Sequence, residues 1–278
     1  VSGHVPAFLK AEDAIHAGFD EIQHINQLML NFLVKPDTDT RTLDRFYLPA
    51  KQVADLDLNS EKVQDFIKLL KEHKVSVDPT LATFDFLKKV DGTVGEPWRA
   101  IVKHLPPDIQ RAYARAELDI PDEATAERYA RSYAKMVEFT GMMYRAGIPV
   151  VAGTDELAGF TLQGELELLV KAGLTPSEAL QVATLNGARF SRVEQNKGQI
   201  KAGYDADLLL VDGDPTKNIG DIRQLALVIT QNKAISPTRL YRQIGVEPFA
   251  KTEVKIRDYT EPAGQSGGKA QHGHRHLH

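Results

Sequence analysis

Val1-Ser-Gly-His4 and Glu21-Ile-Gln-His24 are short extended runs that each end in a histidine, and Ile148-Pro-Val-Val-Ala-Gly-Thr-Asp155 is a longer apolar run that ends in an aspartate. A helix closed by glycine separates the first two runs, at residues 10–18. Parallel strands joined by helices bring their carboxyl ends to one edge of a sheet. The sequence therefore predicts an α/β fold with two imidazoles and one carboxylate at that edge.

The alternation of helices and strands continues along the chain. Ser60 is the expected cap of a helix over residues 61–74, whose apolar residues recur at helical spacing. Residues 75–79 and 148–152 are predicted strands, and the second is apolar enough to be buried on both faces. Thr175-Pro-Ser-Glu178 combines a cap residue, proline and glutamate, which predicts the start of a later helix.

Three regions are predicted from these patterns. Residues 1–192 form the alternating α/β part, interrupted at 82–146 by a polar helical insertion of the kind that forms a lid or a pocket wall. Residues 193–250 lack amphipathic helices and predict a small antiparallel β module. Its expected strands are Gly198–Ile200, Asp207–Asp212 and Leu225–Thr230. Residues 251–278 are a Gly-, Ser- and His-rich tail, predicted to be disordered and without a catalytic part.

Composition excludes several classes of function. The net charge of −4 gives no basic surface for nucleic acid, and no run approaches the ~20 apolar residues of a membrane span. The chain contains no cysteine, so any metal must be held by histidine and carboxylate. The cysteine-free composition is compatible with an exported protein, and we expect a periplasmic or secreted location, with the cytoplasm as the alternative. A homo-oligomer is compatible with these properties.

His4, His24 and Asp155 are the candidate site residues. Neutral imidazole and carboxylate are ligands that suit zinc, and a divalent ion lowers the pKa of bound water towards ~7. A nearby carboxylate can then take up a proton and return it to a leaving amine. Each residue also has a structural interpretation, as a hydrogen-bonded histidine or as the N-cap of the next helix. The remaining histidines before the tail are expected to face solvent: His16, His73 and His104.

An ordered series of motifs carries a family resemblance over about residues 1–248. The motifs are Gly3-His4-Val-Pro, Ala14-Ile-His-Ala-Gly-Phe-Asp-Glu-Ile-Gln-His24, Val77-Asp-Pro-Thr-Leu81, Ala152-Gly-Thr-Asp155, Glu165-Leu-Glu-Leu, Ala172-Gly-Leu-Thr-Pro, Ala183-Thr-Leu-Asn and Gly203-Tyr-Asp-Ala-Asp-Leu-Leu-Leu-Val-Asp-Gly-Asp-Pro215. The series resembles the carboxyl-terminal portion of the metal-dependent amidohydrolase superfamily, on its imidazolonepropionase-like and dipeptidase-like side.

The resemblance implies a fold and a set of roles. The fold would be the carboxyl-terminal half of a TIM-type (β/α)8 barrel, strands 5–8, with part of a small β-sandwich domain. His4 and His24 would be metal ligands after the fifth and sixth strands, and Asp155 would be both ligand and general base after the eighth. The implied reaction is hydrolysis of a C–N bond in a small-molecule or peptide-like amide. The implied cofactor is a divalent metal, expected to be zinc, with two ions in the full-length enzyme.

One departure from the family pattern matters for activity. The family's His-x-His pair and its bridging carboxylated lysine or glutamate have no counterpart before His4, so the isolated fragment is expected to be inactive. Two alternatives stay open at this point, because a fold does not fix a substrate. The protein could hydrolyse a lactone or a phosphoester on the same scaffold, or it could be a non-catalytic scaffold of the same fold.

Overall fold

A parallel sheet carries the candidate site. The structure is a computed structural model that describes residues 1–157 and 159–256. Strands β1 (Ser2–Gly3), β2 (Glu21–Gln23) and β3 (Ser76–Asp78) lie in the order β1-β2-β3, with Ile22 opposite Val77. The helices between them make this an α/β fold, as the sequence predicts.

The predicted strand at 148–152 is reduced to a single parallel bridge between Val77 and Val150. The Val77 N–H donates to the Pro149 carbonyl at 2.9 Å, and the Val151 N–H donates to the Val77 carbonyl at 3.0 Å. Pro149 has no N–H to extend a ladder, which explains why pairing stops there. The segment still runs beside β3 in the same direction, so it delivers Asp155 to the same edge as His24.

Eleven helices are described. They are α1 (Ala11–His16), α2 (Ile25–Leu30), α3 (Asp44–Gln52), α4 (Glu61–Glu72), α5 (Leu81–Phe84), α6 (Pro107–Tyr113), α7 (Glu123–Arg145), α8 (Thr161–Lys171), α9 (Pro176–Gln181), α10 (Gly187–Phe190) and α11 (Pro237–Gln243). Short 3-10 turns occur at Val53–Asp55, Asp85–Lys88, Glu96–Trp98, Val102–His104 and Ile219–Arg223, and a π-helical turn at Val182–Asn186 joins α9 to α10. None of the described helices is long and apolar enough to cross a membrane.

Helices α4 and α7 show why the main core forms where it does. The four apolar residues of α4 at helical spacing are all buried: Val63, Phe66, Ile67 and Leu70. Helix α7 starts at the Asp122 cap, whose carboxylate accepts from the Thr125 N–H at 2.7 Å, and it buries Tyr133 and Phe139 in the same core as Ile22 and Val77. Helix α7, the longest helix of the 82–146 insertion, is therefore part of the main core.

The region after α10 forms the predicted antiparallel module. Strands β4 (Leu208–Val211), β5 (Leu225–Thr230) and β6 (Lys233–Ile235) lie in that order, with Leu209 opposite Val228 and Val228 opposite Ile235. The expected strand at Gly198–Ile200 is absent, since Gly198 has φ +86° and the segment turns. Strand β6 escaped prediction. It follows a two-residue hairpin turn, Gln231-Asn232, in which both residues have positive φ.

A partly buried ion pair joins this module to the α/β part. Arg223 is 7% exposed and donates from Nε and Nη2 to the two carboxylate oxygens of Glu167 on α8, at 2.8 and 2.9 Å. Its guanidinium also donates to the Phe160 and Pro97 carbonyls at 3.4 and 3.3 Å.

The predicted His-rich tail lies outside the described residues from position 257 onward.

Replacing Gly153 should destabilise the protein through Asp78. A Cβ at position 153 would overlap the Asp78 carboxylate, whereas a Cβ at Gly187 would meet only the Val182 carbonyl, at 4.0 Å. We expect Gly153→Ala to lower the free energy of unfolding by about 1–3 kcal/mol. Urea unfolding gives this value, and the matched control Gly187→Ala, in a helix, should be neutral or slightly stabilising. An equal penalty for Gly153→Ala in an Asp78→Ala background would contradict this explanation.

Glu165 should make stability depend on pH. It is fully buried on α8, Oε2 accepts the Ala82 N–H at 2.7 Å, and burial raises the pKa of this carboxyl to about 8. The folded state therefore keeps a proton that the unfolded chain releases near the ordinary glutamate pKa of 4.5. The stability that this group contributes is full below that value and is lost as pH rises towards 8, by at most about 1.4 kcal/mol per pH unit.

Urea unfolding between pH 5 and pH 8 measures this slope. Glu165→Gln, which cannot ionise, should show a smaller loss of stability with rising pH than the wild type. Glu138→Gln, on an exposed position of α7, is the matched control and should leave the slope unchanged. A wild-type slope in the Glu165→Gln protein would show that another group is responsible.

Candidate functional site

The three predicted site residues meet at the carboxyl edge of the parallel sheet. His4 follows β1, His24 follows β2, and Asp155 follows the segment that pairs with β3. The Nε2 atoms of His4 and His24 are 2.7 Å apart, and Asp155 Oδ2 lies 3.5 Å from His24 Nε2. His4 and Asp155 are 151 positions apart in sequence (155 − 4) and still lie in one cluster, because both follow parallel segments of the same sheet.

His24 is the most constrained member of the cluster. It is 6% exposed, its Nδ1 lies 2.5 Å from Thr80 Oγ1, and its ring packs 5.4 Å from that of Phe84. Burial, with the neighbouring His4 as the next cause, lowers the pKa of His24 from 6.5 to about 4. Its imidazole is therefore neutral at pH 7, and Nε2 faces His4 and Asp155. A neutral ring held through Nδ1 is the arrangement found for histidine ligands of metals.

The backbone at the strand ends is strained. His24, Thr80 and Asp155 have φ of 72°, 44° and 45°, in the left-handed region that side-chain-bearing residues rarely adopt. For a β-branched residue such as Thr80 this conformation is a true outlier. Strain of this type costs of order 1–3 kcal/mol per residue and concentrates at functional sites. The three residues are therefore held in place by the surrounding structure rather than by local preference.

Asp78, at the end of β3, is a site residue that the sequence analysis missed. Its Oδ1 accepts the Gly153 N–H at 3.0 Å and the Thr80 N–H at 3.2 Å, and its carbonyl accepts the His24 N–H at 2.7 Å. Burial, followed by the charge of Glu21, raises the pKa of Asp78 to about 7. Asp78 lies inside the run predicted as a strand at 75–79, and its position there gave no indication of these contacts. Thr80 left no signal beyond its position after a strand.

A cavity of about 110 Å³ opens beside the cluster. One wall carries His4, His24 and Asp155, and another is aromatic, with Phe46 and Phe84. The complete lining is His4, His24, Asn26, Gln27, Arg45, Phe46, Thr83, Phe84, Phe86 and Asp155. Larger depressions lie elsewhere, and neither of the two largest is lined by His4, His24 or Asp155. The small cavity is therefore the candidate active site.

The donor set suits a divalent metal, but the distances are those of hydrogen-bonded imidazoles. Zinc–nitrogen bonds of 2.0–2.1 Å place two tetrahedral ligands roughly 3.3 Å apart, so the 2.7 Å between His4 Nε2 and His24 Nε2 would have to widen. His4 and Asp155 are exposed and free to make that adjustment. Within residues 1–157 and 159–256, no three His, Asp or Glu side chains form a complete metal-binding group.

The other histidines lie away from the site. His16 and His73 are exposed, as predicted, with ring centres 5.4 Å apart. The prediction for His104 is wrong: it is partly buried, stacks on Phe249 at 4.0 Å and donates from Nδ1 to the Glu247 carbonyl at 2.9 Å. Phe249 lies 145 residues after His104 in sequence (249 − 104), so no local sequence pattern could have indicated the stacking.

Curated relatives match parts of the chain. Adenine deaminase of Geobacillus kaustophilus is 40% identical over 67 residues, which cover 24% of this chain and 11% of the relative. Imidazolonepropionase of Flavobacterium psychrophilum is 32% identical over 95 residues, which cover 32% of this chain and 22% of the relative. The aligned parts of the chain thus span less than a quarter of the length of these relatives.

Solved structures share the fold. Bottromycin amidohydrolase superposes with a TM-score of 0.55 over 89% of this chain and 54% of its own chain, at 21% identity. At that identity the likeness shows the fold and not the substrate. The profile described as "Amidohydrolase family" matches residues 14–242, most of the chain, and the resemblance predicted from the sequence motifs is confirmed. The chain belongs to the amidohydrolase family.

Proposed function

We propose that the protein hydrolyses a C–N bond in a small amide or peptide-like substrate, with a divalent metal, zinc, as cofactor. The observation that carries this proposal is the convergence of His4, His24 and Asp155 on one cavity. Family membership supports the class of bond, because the relatives act on C–N bonds. The substrate, the metal and the residue roles are our inference.

His4 and His24 would hold the metal through Nε2. The neutral His24 ring keeps its Nε2 lone pair available at pH 7, and Thr80 Oγ1 at Nδ1 fixes the ring orientation. Asp155 would complete this part of the ligand set with a carboxylate oxygen. When bound, a divalent ion supplies Lewis acidity that polarises the scissile carbonyl and makes water more acidic.

Asp155 is the proposed proton carrier. Its side chain is 63% exposed and lines the same cavity as both histidines, so it can reach water and substrate. It takes a proton from the attacking water as the C–O bond forms and gives it to the departing nitrogen as the C–N bond breaks. The products are a carboxylic acid and an amine.

We further propose how the chain fits into a whole enzyme. Residues 1–192 would be the carboxyl-terminal half of a (β/α)8 barrel, and residues 193–250 would be part of a β-sandwich domain. A second ion would need the His-x-His pair and the bridging carboxylate that the resemblance implies, contributed by a longer protein. In that case this chain alone is inactive, and activity tests require the full-length protein.

Replacing Asp155 should remove activity without unfolding the protein. In the full-length protein we expect Asp155→Asn to lower kcat/KM for N-acyl amino acids and dipeptides by roughly 10²- to 10⁴-fold, because the proton carrier is lost. The thermal unfolding midpoint should stay unchanged, since the side chain is exposed. Asp65→Asn, on an exposed position of α4, is the matched control. Wild-type activity in Asp155→Asn, or turnover of lactones or phosphoesters only, would refute the assignment.

Metal content should depend on the two site histidines. Elemental analysis of the purified full-length protein should find less bound zinc in His4→Ala and in His24→Ala than in the wild type. His16→Ala removes an exposed histidine outside the cavity and should retain the wild-type content. Chelation should abolish hydrolysis and added zinc should restore it. Equal metal content in all four proteins would show that the metal binds elsewhere. Activity of the metal-free protein would show that hydrolysis needs no metal.

A further inference from the structure

The cavity beside the site has a composition that the hydrolytic roles do not explain. Its aromatic side is built from Phe46, Phe84 and Phe86, whose ring centres lie 5.2–6.3 Å from one another. These rings come from α3, from α5 and from the 3-10 turn that follows α5. Hydrolysis of an amide requires no aromatic wall. The wall instead indicates the type of group that lies against it, an apolar or aromatic side chain.

Arg45 adds a positive charge to the same cavity. It lies on α3, is partly buried, and its guanidinium carbon is 4.6 Å from the centre of the Phe46 ring. Its backbone is anchored beside the site, because Asn26 Nδ2 donates to the Arg45 carbonyl at 3.2 Å. Asn26 follows His24 by two residues and also lines the cavity. The arginine is therefore placed relative to the catalytic edge by a direct hydrogen bond.

No carboxylate among the described residues lies within 4.0 Å of the Arg45 guanidinium. The arginines that do have such a partner are Arg41, Arg128, Arg131, Arg223 and Arg242. A partly buried guanidinium without a carboxylate partner has unused donors in a fork that matches a carboxylate in two-point geometry. Arg45 is thus the part of the cavity best suited to an anionic group.

We propose that Arg45 binds the free carboxylate of the substrate, so that preferred substrates are N-acyl or N-aminoacyl derivatives of an apolar or aromatic amino acid. This inference rests on the proposed hydrolysis of C–N bonds. In such substrates the carboxylate and the scissile nitrogen are attached to the same carbon atom. A carboxylate held by Arg45 therefore keeps the departing nitrogen inside the cavity that Asp155 lines, and the amino-acid side chain lies against the phenylalanines.

A matched pair of substrates tests the charge. In the full-length protein, release of acetate is measured from N-acetylphenylalanine and from N-acetylphenylalanine amide, which differ in the carboxylate alone. We expect the acid to be preferred, and Arg45→Met to lower its kcat/KM roughly 10- to 100-fold, mainly through KM. The amide should change by less than about threefold, and Arg45→Lys should recover part of the loss. Arg41→Met, whose arginine already pairs with Asp39, is the matched control.

Binding without turnover separates this inference from the proposed function. Calorimetric titration with 3-phenylpropionate and 3-phenylpropanamide should show a preference for the acid that disappears in Arg45→Met. If hydrolysis occurs without preference for the acid, or if Arg45→Met slows hydrolysis of both substrates equally, the proposed role of Arg45 is refuted. The proposed hydrolysis of C–N bonds is then still supported. If neither substrate is cleaved, an Arg45-dependent preference for the acid in calorimetry supports the carboxylate site and refutes the hydrolysis. Absence of that preference refutes both.

Discussion

Asp78 is the residue on which the geometry of the site depends. Its carbonyl fixes the end of β2 through the His24 N–H, and its carboxylate fixes both the turn after β3, through Thr80, and the segment leading to Asp155, through Gly153. The segments that end in His24 and that contain Gly153, which are far apart in sequence, are thus tied to one partly buried residue. Gly153 makes this possible, because any side chain there would occupy the space of the carboxylate. The site residues are thus positioned by hydrogen bonds that main-chain N–H groups donate to Asp78.

The strained residues depend on this junction. His24, Thr80 and Asp155 adopt positive φ directly after the segments that Asp78 ties together. The hydrogen bonds to Asp78 supply the constraint that such conformations require. The same burial that makes Asp78 an effective anchor raises its pKa to about 7, so the anchor carries an electrostatic cost of its own.

The sequence predicted the parts of the site that follow from chain periodicity. His4, His24 and Asp155 each close an extended run, and parallel strands place such residues together, so the cluster could be inferred from the sequence. Asp78 and Arg45 could not, because their roles arise from contacts between distant segments rather than from a repeat. Strand β6 was missed for a local reason, since its turn residues Gln231 and Asn232 lack the glycine that usually marks a hairpin. The shortened pairing at 149–151 was foreseeable from Pro149.

Helix α8 connects the site to the β module, and its two glutamates act differently because one is fully buried and the other is partly exposed. Glu165 faces the α/β core, where it accepts the Ala82 N–H and is kept protonated by burial, so it joins α8 to the start of α5 without carrying a charge. Glu167, two residues later, pairs in two-point geometry with Arg223 of the module.

Arg223 in turn donates to the carbonyl of Phe160. A displacement of the module would therefore act on α8 and on Phe160 through one buried guanidinium, because the pair cannot separate without leaving that charge unpaired in the interior. Asp155 depends on Asp78 instead, because the Asp78 carboxylate holds Gly153, two residues before Asp155.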